Sequence, residues 1–355
     1  RSSDSPRGAV LEMVVAEDHT TAFLLSRGAD NRVGITVHRL AVGAAAIGER
    51  VEKLLLRVEA TDPEFTNGAE ELYRLLVGPF EGALAGVEVL CVIPDGALWS
   101  LPFSLLRDAG GKPLLERMAV FHAPSLAALS RRPPPDGTAP PLLALAMGNP
   151  TVLATTVEQV RAMERGPALG SLPHAEQEVR AIGDLYGPHR SDVLVGSAAR
   201  EQTLKKTAGR YALIHIASHG LVDDRAPLYS AVVLAGGDDG EDGLLEAREI
   251  ADLHLSARLV VLSACETGRG KIRAGEGVIG LSWAFLAAGV PTLVVSDWRV
   301  ASAATADLMV ELHRQLIAGA APAAALRRAQ LTMLRDPRYE HPYYWAPFVV
   351  VGSGW

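Results

Sequence analysis

Two stretches decide the fold: Tyr211-Ala-Leu-Ile-His-Ile-Ala-Ser-His219-Gly220 and Ala257-Arg-Leu-Val-Val-Leu-Ser-Ala-Cys265-Glu-Thr-Gly268. In each, odd and even positions are both mostly apolar. That is the pattern of a strand buried on both faces, as in a parallel sheet covered by helices. Each run stops at a reactive side chain. In open parallel sheets, functional groups collect where the strands finish at the carboxyl edge. Neighbouring strands ending in His219 and Cys265 would bring an imidazole to a thiol. That pairing converts a weak nucleophile into a thiolate, the chemistry of a cysteine hydrolase.

Outward from these runs, strand and helix patterns alternate. Strands are expected at 142–147, 193–195, 211–217, 230–235, 257–263, 291–296 and 348–351. Helices are expected at 174–186, 199–207, 246–252, 277–288, 301–318 and 322–335. Such alternation implies a mostly parallel sheet with helices on both faces. Residues 131–141, Arg-Arg-Pro-Pro-Pro-Asp-Gly-Thr-Ala-Pro-Pro, can form neither a helix nor a central strand and read as a linker. They divide an α/β subdomain at 1–130 from one at 142–355. The first holds three short strands at 9–16, 20–26 and 33–38, helices at 43–60 and 67–77, and buried strands at 88–93 and 118–122.

Composition narrows the function classes. The chain has 355 residues, 48% apolar but only 5% aromatic, so the core is built from Ala, Val and Leu. Its net charge of −7, with arginines scattered, argues against a nucleic-acid partner. No apolar run reaches the roughly 18–20 residues of a membrane span. Cys91 and Cys265 are the only cysteines, too few for a disulfide framework or a zinc site. A nucleophilic thiol must stay reduced, so a cytoplasmic location is expected.

Other features have plainer readings. Cys91 lies inside an apolar strand and reads as a small buried hydrophobe. His215, in mid-strand, reads as a hydrogen-bonded core residue. Gly275-Glu-Gly277-Val-Ile-Gly280 matches a dinucleotide fingerprint, but that motif needs its first glycine directly after the strand. Here Glu266–Ala274 intervene, so the glycines are read as loop and helix-start residues. The aromatics Tyr343, Tyr344, Trp345 and Trp355 read as packing for the last strand.

Five segments together resemble one family. They are His219-Gly220 with Pro227-Leu-Tyr-Ser230, Leu262-Ser-Ala-Cys-Glu-Thr-Gly268, Gly275-Glu-Gly-Val278 with Gly280-Leu281, Ala284-Phe-Leu286 with Ala288-Gly289, and His341-Pro-Tyr-Tyr-Trp-Ala-Pro-Phe348. In the first half, Ile93-Pro-Asp-Gly96, Leu101-Pro-Phe103 and Ala123-Pro-Ser-Leu126 extend the likeness. All are similar to CHAT-domain proteins, caspase-like cysteine peptidases related to separase and often joined to TPR repeats. The interval from His219 to Cys265 is also close to the roughly 50 residues seen in caspases. The resemblance implies a caspase-like α/β fold whose first half is a related, non-catalytic subdomain. It implies His219 as general base and Cys265 as nucleophile, cleaving a peptide through a thioester. The backbone N–H groups of Gly220 and Cys265 would bind the oxyanion. Neither a metal nor an organic cofactor is called for.

By the same analogy the substrate cleft is walled by Ser263, Glu266, Asp297, Trp298 and Arg299. Asp297 stands where the family more often has an apolar residue, which bears on specificity and favours a basic substrate side chain. The loop Glu266–Ala274 is rich in glycine and charge with one apolar anchor, Ile272. It is expected to be ordered by an activating partner or a preceding recognition domain such as TPR. The competing reading is a signalling scaffold that keeps the fold without catalysis; labelling by a thiol-reactive peptide probe separates the two.

Overall fold

The computed structural model describes residues 6–27, 32–129, 143–162, 169–223, 225–237, 240–264, 271–273, 277–298 and 302–355. The expected linker 131–141 lies outside them. By packing, the chain forms two units: residues 1–130 with 272–277 and 320–355, and residues 131–271 with 278–319.

The first unit begins with β1 (Gly8–Val15), β2 (Thr20–Arg27) and β3 (Val33–Leu40). These form an antiparallel meander, with Leu11 opposite Leu24 and Leu24 opposite Thr36. Two amphipathic helices follow, α1 (Ala44–Glu59) and α2 (Phe65–Leu76). On α1 the buried residues Ile47, Val51, Leu54, Leu55 and Val58 recur every three or four positions, so they share one face. Next come β4 (Val89–Ile93), α3 (Leu114–Arg117), β5 (Ala119–His122) and α4 (Leu126–Leu129). The last two elements of the chain, α11 (Pro322–Arg335) and β16 (Phe348–Gly352), complete this unit. Strand order is β3-β2-β1-β4-β5-β16, parallel from β1 onward.

The second unit contains β6 (Ala144–Pro150), α5 (Ala154–Ala162), α6 (Pro173–Tyr186), β7 (Ser191–Gly196), α7 (Glu201–Thr207) and β8 (Leu213–Ser218). A small antiparallel sheet follows, made of β9 (Gly220–Leu221), β10 (Ala231–Val233) and β11 (Leu244–Glu246). Then come α8 (Ala247–Ala251) and β12 (Leu259–Ala264), then β13 (Lys271–Arg273) and β14 (Gly277–Ile279), whose residues 272–277 group with the first unit, and α9 (Leu281–Ala287), β15 (Thr292–Ser296) and α10 (Ser302–Ile317). The main strands run parallel in the order β15-β12-β8-β6-β7. Helix α6 packs on β6, β7 and β8 and against α10. The approach is close. A side chain at Gly148 of β6 would sit 2.8 Å from the Ala175 carbonyl of α6.

The expected α/β class with a mostly parallel sheet is therefore borne out. Three particulars differ. Residues 320–355 group with the first unit, where β16 pairs in parallel with β5. The strand expected at 230–235 joins the small antiparallel sheet. Among its described residues the connection from β9, which ends at Leu221, holds a 3-10 turn, Pro227–Tyr229, and is too short for the crossover a parallel neighbour needs. The helix expected from 277 begins at Leu281, since Gly277–Ile279 is extended.

Candidate functional site

β8 and β12 lie side by side in parallel, in register from Leu213 opposite Leu259 to Ser218 opposite Ala264. The last paired residues on the two strands are thus those immediately preceding His219 and Cys265. His219 is described. Cys265, Glu266 and Arg299 lie outside the described residues, as does most of the loop 266–274.

His219 is held from three sides. Its Nε2 lies 2.8 Å from the Gly170 carbonyl oxygen. A carbonyl can only accept, so Nε2 carries the proton and Nδ1 keeps its lone pair. The His219 carbonyl accepts from the Val233 N–H at 2.9 Å, and the Ser218 hydroxyl donates to the Val233 carbonyl. With Gly220 opposite Val232 and the bond falling on His219, the Gly220–Val232 pair is a non-hydrogen-bonded one. The Gly220 N–H therefore points away from β10, free of that ladder.

Gly170 belongs to a short segment before α6, and Asn149 governs that segment. Asn149 Oδ1 accepts from the Leu172 N–H at 2.7 Å and from the Ser171 hydroxyl at 3.3 Å. Its Nδ2 donates to Glu176 Oε2 at 3.0 Å. That bond, with the Arg180 guanidinium, holds the Glu176 carboxyl below its ordinary range. Asn149 is in the left-handed region, with φ of 46°, and the β6–β7 register shifts at this point.

The remaining expected wall residues are buried. Ser263, opposite Ala217, has its hydroxyl in the interior, without a hydrogen-bond partner among the described residues. Asp297 is 3% exposed and Trp298 2% exposed, directly after β15. Trp298 is thus a core side chain, and Asp297 is an interior carboxylate, not a surface one.

His215 behaves as its mid-strand position predicts. Its Nε2 bonds Glu178 of α6 at 2.7 Å and its Nδ1 bonds His313 Nε2 of α10 at 3.0 Å. His313 Nδ1 in turn bonds the Tyr186 hydroxyl at 3.2 Å. One proton arrangement satisfies the whole row with neutral imidazoles: Tyr186 donates to His313, His313 to His215, His215 to Glu178. Burial, with His215 alongside, pushes His313 well below the usual histidine range. A second polar cluster surrounds Lys205, whose ammonium contacts Glu201 at 2.6 Å, Glu241 at 2.7 Å and Glu249 at 2.9 Å. Those carboxylates lie within 4.8 Å of one another, and Lys205 supplies their countercharge.

Sequence reasoning missed Gly170, Asn149 and the partners of His215. Asn149-Pro150 after an apolar run was the available signal for a turn at the strand's end. Among the described residues Cys91 is not paired with the nearby His122. It lies opposite Phe121, whereas His122 lies opposite Val92 and so faces the other side of the sheet. Among the described residues no helix is long and apolar enough to cross a membrane.

Comparison with known proteins fits this geometry. Tetratricopeptide repeat protein 28 of Homo sapiens is 29% identical over 329 residues, which is 79% of this chain but only 13% of that protein. Its Mus musculus counterpart is 26% identical over 334 residues, with the same coverage of 79% and 13%. Among solved structures, a chain of the Saccharomyces cerevisiae separase–securin complex superposes with a TM-score of 0.61 at 10% identity, covering 98% of this chain and 30% of that one. At that identity the likeness concerns the fold. The CHAT domain model matches residues 66–353, most of both units, and the chain belongs to the CHAT domain family.

Proposed function

We propose that this chain is a cysteine endopeptidase working through His219 and Cys265. The observation that carries the reading is the orientation of His219. With Nε2–H committed to the Gly170 carbonyl, Nδ1 is the basic nitrogen, on a strand whose registered neighbour leads directly to Cys265. Nδ1 takes the thiol proton, and the thiolate attacks the peptide carbonyl carbon. The Gly220 and Cys265 N–H groups bind the resulting oxyanion, each such donor commonly contributing about 3 kcal/mol. The C–N bond then breaks, the imidazolium gives its proton to the leaving amine, and a thioester remains. Water, deprotonated by His219, hydrolyses it and restores the thiol. Glu266, Asp297 and Arg299 are the substrate-wall residues in this reading, with Asp297 favouring Arg or Lys before the cut, while the buried Ser263 and Trp298 pack behind them.

Protein or peptide is the substrate class, and the setting is cytoplasmic signalling. Activation comes from a partner or an attached recognition module, a reading supported by the repeat-containing names and much greater length of the curated relatives. The test is cleavage of a peptide library, alone and with candidate activators. His219→Ala and Cys265→Ala should each abolish cleavage, and the double variant should add little, because the two act as a unit. Cleavage that survives Cys265→Ala would sink the proposal. Labelling of Cys265 by a thiol-reactive peptide probe separates a peptidase from a silent scaffold.

A further inference from the structure

The peptidase reading leaves open what holds Gly170 in place. A backbone carbonyl on a connecting segment has no fixed direction of its own. Here it must aim at His219 Nε2 to within hydrogen-bond distance, since the position of the proton on the ring depends on that contact.

Three observations converge on one residue. First, Asn149 Oδ1 accepts from the two residues that follow Gly170, namely Ser171 and Leu172. Second, Asn149 Nδ2 donates to Glu176 in the first turn of α6, so segment and helix are fastened to the same amide. Third, Asn149 occupies a left-handed conformation in front of Pro150, where the preceding residue ordinarily prefers extended backbone. Strain of this kind persists only where surrounding contacts over-determine it. The base of the clasp is rigid. Gly148, the residue before it, pairs with Ala217 of β8 and is pressed against α6. Asn149 is therefore fixed to the same strand that delivers His219.

We infer that Asn149 is a positioning residue for the reaction: it aims the Gly170 carbonyl at His219 and so keeps the proton on Nε2 and the lone pair on Nδ1. This rests on His219 being the general base, but its readout does not require turnover.

The deciding variant is Asn149→Gly. Glycine adopts a positive φ without penalty, so the turn survives while all three side-chain bonds are removed. Nitrogen-15 NMR of histidine-labelled protein reports the His219 tautomer directly. Wild type should show a single Nε2–H form; Asn149→Gly should show a mixture, with the Nε2–H preference reduced at least threefold. If peptide cleavage is detected, kcat should fall about tenfold, KM should stay within twofold, and the acid limb of the pH–rate profile should move. The pair Asn149→Asp with Glu176→Gln reverses the donor and acceptor in one bond while keeping the acceptor for Leu172, and should restore the Nε2–H form. A purely structural role would alter thermal stability but not the tautomer. A folded Asn149→Gly protein that retains the wild-type tautomer overturns the inference. Should that variant not fold, Asn149→Asp alone decides by the same measurement, since repulsion from Glu176 loosens the clasp. A wild type that cleaves nothing with any activator, but whose tautomer responds to Asn149→Gly, would confirm that Asn149 aims the Gly170 carbonyl and overturn the peptidase reading on which its part in a reaction rests.

Discussion

Replacing Lys205 by methionine should destabilise the second unit strongly, and more so at high pH. The ammonium contacts three carboxylates drawn from α7, the β10–β11 connection and the third position of α8. Glu201 is 1% exposed and also accepts from the Gly243 N–H at 2.9 Å, so it cannot swing into solvent. Methionine matches the lysine stem in volume, so packing changes little. What remains is a cluster of negative charges without its cation. Breaking a buried ion pair in this way costs about 3–5 kcal/mol. Because Glu241 and Glu249 are about a quarter exposed, the lower end applies, roughly 3 kcal/mol. At about 2–4 °C per kcal/mol for a unit of this size, the melting temperature should drop by roughly 6–12 °C. The pH dependence has a definite sign. Burial pushes the Glu201 carboxyl up to about 7 from 4.5. Between those values the folded protein binds more protons than the unfolded chain, so stability falls as pH rises. Losing Lys205 raises this further, so the deficit should be largest near pH 8 and shrink towards pH 5. Thermal melts of both proteins across that range test it. A Lys205→Met protein melting within 2 °C of wild type at pH 8, or a gap that does not narrow on acidification, would refute the reasoning.

Two further outcomes follow from buried titratable groups in the first unit. The Cys91 thiol is fully buried, and burial pushes its pKa far above the ordinary range. Iodoacetamide at pH 8 should leave it unmodified until the protein is unfolded; modification in the native state, read by mass spectrometry, would contradict the packing. His122 is 2% exposed and burial pushes it down to about 4 from 6.5. Here the unfolded chain binds the proton more tightly, so stability is lost as pH falls from 6.5 towards 4, by up to about 3 kcal/mol. His122→Leu should flatten that limb of the stability curve, and an unchanged slope would show that His122 is not its source.

The parts of the fold visible in the sequence were those written in local periodicity. β8 and β12 are mostly apolar on both faces, and α1 and α11 carry stripes of helical spacing, so their type could be read directly. Non-local pairing could not. Nothing in Phe348–Gly352 announces a partner as far back in the chain as β5. At the site, His219 stood out because its strand stops there. Gly170 did not, since a backbone carbonyl has no side-chain signature. Glu201 and Lys205 drew no reading, since their i,i+4 spacing is common on helix surfaces; Glu241 and Glu249, which complete the buried clasp, are more than thirty residues further along. Asn149 was hidden for a related reason. Asn-Pro announces a turn, but not the three bonds made across 22 to 27 residues.

The return of the last 36 residues to the first unit has a consequence for biosynthesis. A ribosome makes residues 1–130 first, yet at that stage β5 is an open edge, because β16 has not been translated. Domains generally form as units while the chain emerges. The second unit has all its residues once Gly319 is made; the first must wait for residues 320–355. Completion therefore runs opposite to synthesis. Through most of translation the nascent chain carries an unpaired parallel edge of the kind that invites intermolecular strand pairing. A chain stopped before Phe348 would leave β5, in the part of the protein made first, without its parallel neighbour.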